Sequence, residues 1–156
     1  EVIYCSPDYC FIPFGTGNLF ENILNINKQQ ISTSHRDPRF LGDVDRLRKC
    51  NFLGVTSNNP KSIADKLYSP HLPFSHYDDQ WMRFYKYAGF CGNKSDVIPV
   101  LEKYLEQALV IAHKQGVSCE ASGIAGMALL LQLRKDIPRN AKILIVNTGN
   151  SAKIFD

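Results

Sequence analysis

The chain contains 156 residues, of which 44% are hydrophobic and 21% are charged, and its formal net charge is +3. This length fits a single α/β domain over 1–156 with a sizeable core, and the composition is that of an ordinary globular protein. Lysine and arginine are scattered without a basic block, so we expect no nucleic-acid partner. No stretch has the length and apolar character of a membrane span, so we expect no membrane association and a cytoplasmic location.

The cysteines and histidines give no sign of a metal or redox site. The five cysteines are widely spread and form no C-x-x-C pair, which favours reduced, buried thiols. The four histidines show no metal-ligand spacing on one element, and no Ser-His-Asp arrangement can be argued. The sequence therefore predicts neither a metal centre nor a nucleophilic triad.

Three continuously apolar runs predict buried strands, at residues 9–14, 51–57 and 143–147. Such runs are typical of parallel sheets that are covered on both faces, whereas half-exposed antiparallel strands alternate apolar and polar residues. Predicted helices separate the strands, over 19–27, from Pro60 onwards, over 95–116 and from the turn at 120–123 to about Pro138. The pattern predicts an α/β fold with an open, mostly parallel twisted sheet and helices on both faces. Residues 68–95 are rich in aromatics and lack periodicity, so we expect an irregular excursion there.

Small polar turns follow two of the strands and open one of the helices. They are Gly15-Thr16-Gly17-Asn18, Thr148-Gly149-Asn150 and Glu120-Ala121-Ser122-Gly123. In open parallel sheets ligands bind beyond the carboxyl ends of the strands, so these turns predict a site. Ordinary strand-to-helix turns would explain each of them singly.

The glycine turn is suited to a compact phosphate. Gly15 and Gly17 can adopt conformations closed to other residues, and the following helix start favours an anion. Neither G-x-G-x-x-G nor G-K-[ST] is present, which argues against a dinucleotide or a nucleoside triphosphate. The turn therefore predicts a single phosphate group.

Three motifs in this order resemble the fold type II pyridoxal-phosphate enzymes, a family that includes threonine synthase, serine/threonine dehydratase, cysteine synthase and the tryptophan synthase β-subunit. "PDYCFIPFGTGNLFENI" is similar to the family's strand, phosphate loop and helix. "LEQALVIAHKQGVSCEASGIAGMALLLQL" resembles its Glu-x-Ser-Gly turn between two helices, and "KILIVNTGNSAK" resembles its closing strand. The resemblance implies pyridoxal phosphate as cofactor, an amino acid as substrate, a homodimer, and elimination or replacement at the β or γ carbon.

The resemblance also implies roles for individual residues. The phosphate would lie on the backbone of five consecutive residues, Gly15, Thr16, Gly17, Asn18 and Leu19. Thr148 would hydrogen-bond the pyridine nitrogen, and Glu120 and Ser122 would line the edge of the ring. A hydroxyl at the nitrogen leaves the pyridine unprotonated and makes the cofactor a weaker electron sink than a carboxylate partner does.

The family's Schiff-base lysine lies upstream of the phosphate loop, in a Ser-x-Lys setting, and no residue before Gly15 matches it. Lys28, Lys61 and Lys153 do not occupy the family's lysine position. We therefore expect the chain to be the C-terminal half of a larger enzyme, inactive alone and completed by an N-terminal half or a partner chain.

Two other interpretations stay open at the level of sequence. The chain could be a degenerate, non-catalytic relative that acts as an interaction or regulatory module, with Trp81, Phe84, Tyr85 and Tyr87 as its contact surface. It could also be an unrelated α/β domain that binds a nucleotide or a sugar phosphate at the same strand ends.

Overall fold

A computed structural model describes residues 2–33, 43–68 and 94–149. A four-residue helix opens the chain, and the strands and longer helices then alternate. The elements in chain order are α1 (Val2–Cys5), β1 (Tyr9–Pro13), α2 (Asn18–Thr33), α3 (Val44–Lys49), β2 (Asn51–Thr56), β3 (Lys94–Pro99), α4 (Glu102–Lys114), α5 (Ala125–Leu133) and β4 (Ile143–Ile145). A short 3-10 turn, Asp65–Leu67, follows β2.

The four strands form one parallel sheet in the order β3-β2-β1-β4. Tyr9 is in register with Asn51 of β2 on one side and with Ile143 of β4 on the other. The predicted α/β class with an open parallel sheet is confirmed, and the three predicted strands are present as β1, β2 and β4.

Both faces of the sheet are covered, as the alternation of side chains along β1 makes clear. Cys10 and Ile12 are fully buried against the face covered by Phe20 and Leu24 of α2. Phe11 is also fully buried, but it belongs to the core on the opposite face, with the inner sides of α4 and α5. Successive residues of a strand point to opposite faces, so a continuously apolar strand is what two covered faces require.

The order of the strands creates a reversal in the middle of the sheet. The chain moves outward from β1 to β2 and β3, and then returns across the sheet to place β4 on the free side of β1. All four strands are parallel, so their carboxyl ends share one edge, which we call the carboxyl edge. A reversal of this kind opens a crevice at the carboxyl edge, between β1 and β4.

Asp8 forms hydrogen bonds that link neighbouring strands at the opposite edge of the sheet, where the strands begin. Its carboxylate accepts a hydrogen bond of 2.7 Å from the Lys142 backbone N–H and one of 3.1 Å from the Arg46 guanidinium. Its backbone carbonyl accepts the Asn51 N–H at 2.9 Å. The pKa of Asp8 is lowered below its ordinary value of 3.8, chiefly by the hydrogen bond from the Lys142 N–H and secondly by the one from Arg46. One residue thus connects the starts of β1, β2 and β4.

Several predicted boundaries need correction. The helix predicted over 95–116 is wrong at its start, because β3 occupies Lys94–Pro99 and α4 begins only at Glu102. In place of the helix predicted from Pro60 the chain forms only the 3-10 turn. Of the predicted excursion 68–95, only residues 68, 94 and 95 lie among the described residues.

No helix within the described ranges is long and apolar enough to cross a membrane.

Candidate functional site at the carboxyl edge

The turn after β1 depends on its two glycines for different reasons. Gly17 has φ +85°, a conformation that favours glycine, and a Cβ atom there would stand 3.0 Å from the Phe14 ring. A Cβ atom on Gly15 would stand 2.8 Å from the carbonyl oxygen of Lys66. The turn therefore packs between the ring of Phe14, the residue just before it, and the 3-10 turn that follows β2.

Several backbone N–H groups around this turn face no acceptor from the described part of the chain. The first hydrogen bond of α2 runs from the Glu21 N–H to the Gly17 carbonyl, at 2.9 Å. Within the described ranges, no hydrogen bond is donated by the N–H groups of Gly15, Thr16, Gly17 or Leu19. Donors at a helix start that lack an intrahelical partner need water or a ligand, and they favour an anion.

The turn before α5 touches the end of β4. A Cβ atom on Gly123 would stand 2.5 Å from the Gly149 carbonyl oxygen, so no larger residue fits there without a shift. The Gly123 carbonyl accepts a 3.4 Å hydrogen bond from the Thr148 N–H, and the Gly149 carbonyl accepts one of 3.4 Å from the Glu120 N–H. The structure therefore brings together the second and third turns that the sequence singles out.

The predicted site residues differ in their exposure. Ser122 is buried, with 5% of its surface exposed, and none of the hydrogen bonds within the described ranges involves its hydroxyl. Thr148, Thr16 and Asn18 are exposed, and Leu19 is 40% exposed. Asn150 and Lys153, which the sequence associates with the end of β4, lie outside the described residues. A mostly buried serine with an accessible hydroxyl, beside exposed polar groups, is suited to a ligand that enters from solvent.

Lys66 belongs to the same edge, although sequence reasoning missed it. Its ammonium lies 2.6 Å and 2.7 Å from the two carboxylate oxygens of Glu120, which precedes α5. The two residues are 54 positions apart in the chain, and no local motif links them. Only the sheet order, which places the ends of β2 and β4 on either side of β1, could have identified this pair.

Together these turns can bind one anionic group beside a polar, partly buried wall. The donors of the glycine turn fit the oxygens of a phosphate monoester, and its glycines let the ligand approach the backbone closely. The Thr148 hydroxyl can donate to, or accept from, one polar atom of the same ligand. Within the described ranges, no group of three or more His, Cys, Asp or Glu residues could hold a metal ion.

No protein-family model matches the chain. Among curated proteins, a protein named threonine synthase, from Synechocystis sp., is 24% identical to the chain over 156 residues. The aligned region covers 98% of this chain and 39% of that protein, so the chain spans about two fifths of the length of this relative. The similarity is distant, and it agrees with the resemblance that the three motifs carry.

Proposed function

We propose that the chain is the part of a pyridoxal-phosphate-dependent amino-acid lyase or synthase, of the threonine synthase type, that holds the cofactor's phosphate and pyridine nitrogen. The parent protein would catalyse elimination or replacement at the β or γ carbon of an amino acid, in the cytoplasm and as a homodimer. The chain would correspond to the C-terminal part of that protein.

The observation that carries the proposal is the set of N–H donors on the glycine turn. Those of Gly15, Thr16, Gly17 and Leu19 are without an acceptor in the described part of the chain, and they lie at the carboxyl end of β1. This is the edge of a parallel sheet at which ligands bind, and β1 is the strand where the order reverses. The similarity to threonine synthase over 98% of the chain adds support.

In this proposal each turn has one task. The glycine turn binds the phosphate and so fixes the position of the cofactor. The Thr148 hydroxyl would donate a hydrogen bond to the pyridine nitrogen, and a neutral partner of this kind would leave that nitrogen unprotonated. Ser122 and Glu120 line the ring edge and limit the access of water. The bound cofactor would supply an electron sink for the electron pair that remains on a substrate carbon when it loses its proton.

The covalent step would need an amine from elsewhere. The lysine that attaches the cofactor in this family precedes the glycine loop, and this chain offers no matching residue before Gly15. A segment or partner chain that carries the Ser-x-Lys element would supply it, and the chain alone would bind the cofactor without turnover.

Binding of pyridoxamine 5′-phosphate to the purified chain tests the proposal directly. This ligand has the ring and phosphate of the cofactor but no aldehyde, so it measures non-covalent recognition alone. Isothermal titration calorimetry should detect one site. Replacing Gly17 by Ala should weaken binding at least tenfold, because φ +85° and the Phe14 ring oppose a Cβ atom at this position. Gly116→Ala is the matched control, since Gly116 also has a positive φ (+72°) but has open space around it.

A second pair of variants separates the ring from the phosphate. Thr148→Val should weaken pyridoxamine 5′-phosphate and leave inorganic phosphate unaffected, because only the ring contacts the hydroxyl. Thr33→Val, at the far and exposed end of α2, is the control. Equal binding of pyridoxamine without its phosphate, or displacement by AMP or glucose 6-phosphate at lower concentrations, would contradict the proposal.

A further inference from the structure

The 3-10 turn holds Lys66 in a fixed place beside the glycine turn. Its neighbours Ala64 and Leu67 are 0% and 2% exposed, and the Leu67 carbonyl accepts the Thr56 hydroxyl at 2.9 Å. The Lys66 carbonyl is the atom against which Gly15 packs. The backbone of Lys66 is therefore anchored both to the end of β2 and to the turn after β1.

The side chain of Lys66 crosses the crevice. Lys66 follows β2, whereas Glu120 is hydrogen-bonded through its N–H to Gly149, just beyond β4. Because β1 lies between β2 and β4, the ion pair spans the carboxyl end of β1. This is the strand from which the N–H donors of the glycine turn extend, so the pair adjoins the space where an anion would bind.

The charges of the pair act on an anion in opposite directions. The Glu120 side chain is 25% exposed, and its carboxylate alone would repel a phosphate at the glycine turn. The Lys66 side chain is 50% exposed, and a compact ammonium on a flexible stem is a common phosphate partner. Partly exposed ion pairs contribute little to folding stability, so the ammonium can change partners at small cost.

Ser122 provides a second and independent indication of a ligand here. It lies two residues after Glu120, in the same turn, and is 5% exposed with its hydroxyl outside every hydrogen bond of the described ranges. The Ser122 hydroxyl is not among the buried side-chain atoms that lack a partner in the described ranges, so it keeps accessible surface and a group from outside the chain can reach it.

We propose that Lys66 is an anion-binding residue of the site and that Glu120 is its exchangeable counter-ion. In the free chain Glu120 holds the ammonium across the crevice. When a phosphate-bearing ligand occupies the glycine turn, the ammonium turns towards the phosphate and the carboxylate is released. This inference rests on the proposed function, because it needs a phosphate at the glycine turn.

Titration of the full chain with inorganic phosphate tests the inference. Lys66→Met should weaken phosphate binding at least tenfold, and Lys66→Arg should restore most of it. Glu120→Gln should strengthen binding severalfold, because it removes the competing charge. Lys61→Met is the control, since Lys61 is an exposed lysine five residues earlier in the same segment. Phosphate affinity should also depend less on salt in Lys66→Met than in the unaltered chain.

The outcomes separate this inference from the proposed function. Unchanged phosphate affinity in Lys66→Met, or weaker binding in Glu120→Gln, would overturn the role of Lys66 even if Gly17→Ala abolishes binding. If Gly17→Ala binds phosphate normally, the proposed function fails at its first step. Circular dichroism and thermal unfolding of each variant identify loss of fold, and rescue by Lys66→Arg distinguishes a charge effect from a structural one.

Discussion

Gly123 and Gly149 are in direct backbone contact at the carboxyl edge, where a Cβ atom on Gly123 would stand 2.5 Å from the Gly149 carbonyl oxygen. Gly123→Ala should therefore push the turn before α5 away from the end of β4. We expect a loss of about 1–3 kcal/mol in the free energy of unfolding, the usual cost of overpacking. Urea denaturation followed by circular dichroism measures it.

Gly116→Ala separates crowding from backbone strain. Gly116 has φ +72° and no neighbour within 4 Å of the added atom, so only the left-handed conformation opposes alanine, at a cost of about 1 kcal/mol. Gly123→Ala should in addition reduce phosphate-ligand affinity, whereas Gly116→Ala should not. If Gly123→Ala is as stable as the unaltered chain, the backbone contact between the two turns does not limit the size of residue 123.

Asp8 should make stability depend on pH in the acid range. Its folded-state pKa is lowered below 3.8 by the Lys142 N–H and by Arg46, so its contribution is present above the unfolded pKa. That contribution is lost as pH falls through 3.8 towards the lowered value. Asp8→Asn should be less stable at pH 7 by about 1 kcal/mol, because the carboxylate is one third exposed and solvent weakens its ion pair.

The difference between the unaltered chain and Asp8→Asn should shrink as the pH is lowered from about 5 to about 3. Thermal unfolding at a series of pH values gives this comparison. Asp136→Asn, which removes a carboxylate at an exposed position after α5, is the matched control substitution. A constant difference between the unaltered chain and Asp8→Asn over that range would mean that Asp8 titrates alike in the folded and unfolded states.

Gln132 should stabilise the junction between β3 and α4. Its side-chain oxygen accepts the Leu101 N–H at 2.9 Å, and its side-chain nitrogen donates to the Pro99 carbonyl at 3.1 Å. Gln132→Ala removes both bonds and should cost about 1–2 kcal/mol. Amide exchange at Leu101 should accelerate in this variant. Gln107→Ala, on the exposed side of α4, serves as the control, and equal effects of the two substitutions would exclude a specific role for Gln132.

The thiols should differ sharply in reactivity. Cys10 and Cys50 are fully buried, and burial raises the pKa of both, that of Cys10 to about 12. Iodoacetamide at pH 8 should label the partly buried Cys5 at least about 100-fold faster than either, because burial lowers the thiolate fraction and excludes the reagent. Peptide mass mapping of the native chain measures the rates. Comparable labelling at Cys10 would indicate that the face under α2 opens readily.

Much of the fold could be predicted because its signals are local. β1, β2 and β4 are continuously apolar, and no other element type suits such short runs between turns. The start of α4 was misjudged because Val97, Ile98 and Leu101 also fit a helical period, although the β-branched pair favours a strand. The sequence does not predict α3, because its six residues are mostly charged and only Leu47 among them is buried.

The site was only partly accessible to sequence reasoning. Glycine turns and small polar residues that follow strands indicate the carboxyl edge of a parallel sheet. The sequence therefore predicts that Gly15, Glu120 and Thr148 lie at this edge. Lys66 lies in no such motif. Its carbonyl and its ammonium lie near the other turns only because β1 and β2 are neighbours in the sheet. Long-range juxtapositions of this kind depend on strand order, which a single sequence does not specify.

The pairing of β1 with β4 joins segments 134 residues apart, as between Asp8 and Lys142. Contacts so distant in sequence incur a large loop-closure entropy and form late, so the docking of β4 should limit the rate of folding. During synthesis the glycine turn would leave the ribosome long before Thr148. Until then the nascent chain would display an unpaired side of β1, a surface on which chaperones could act.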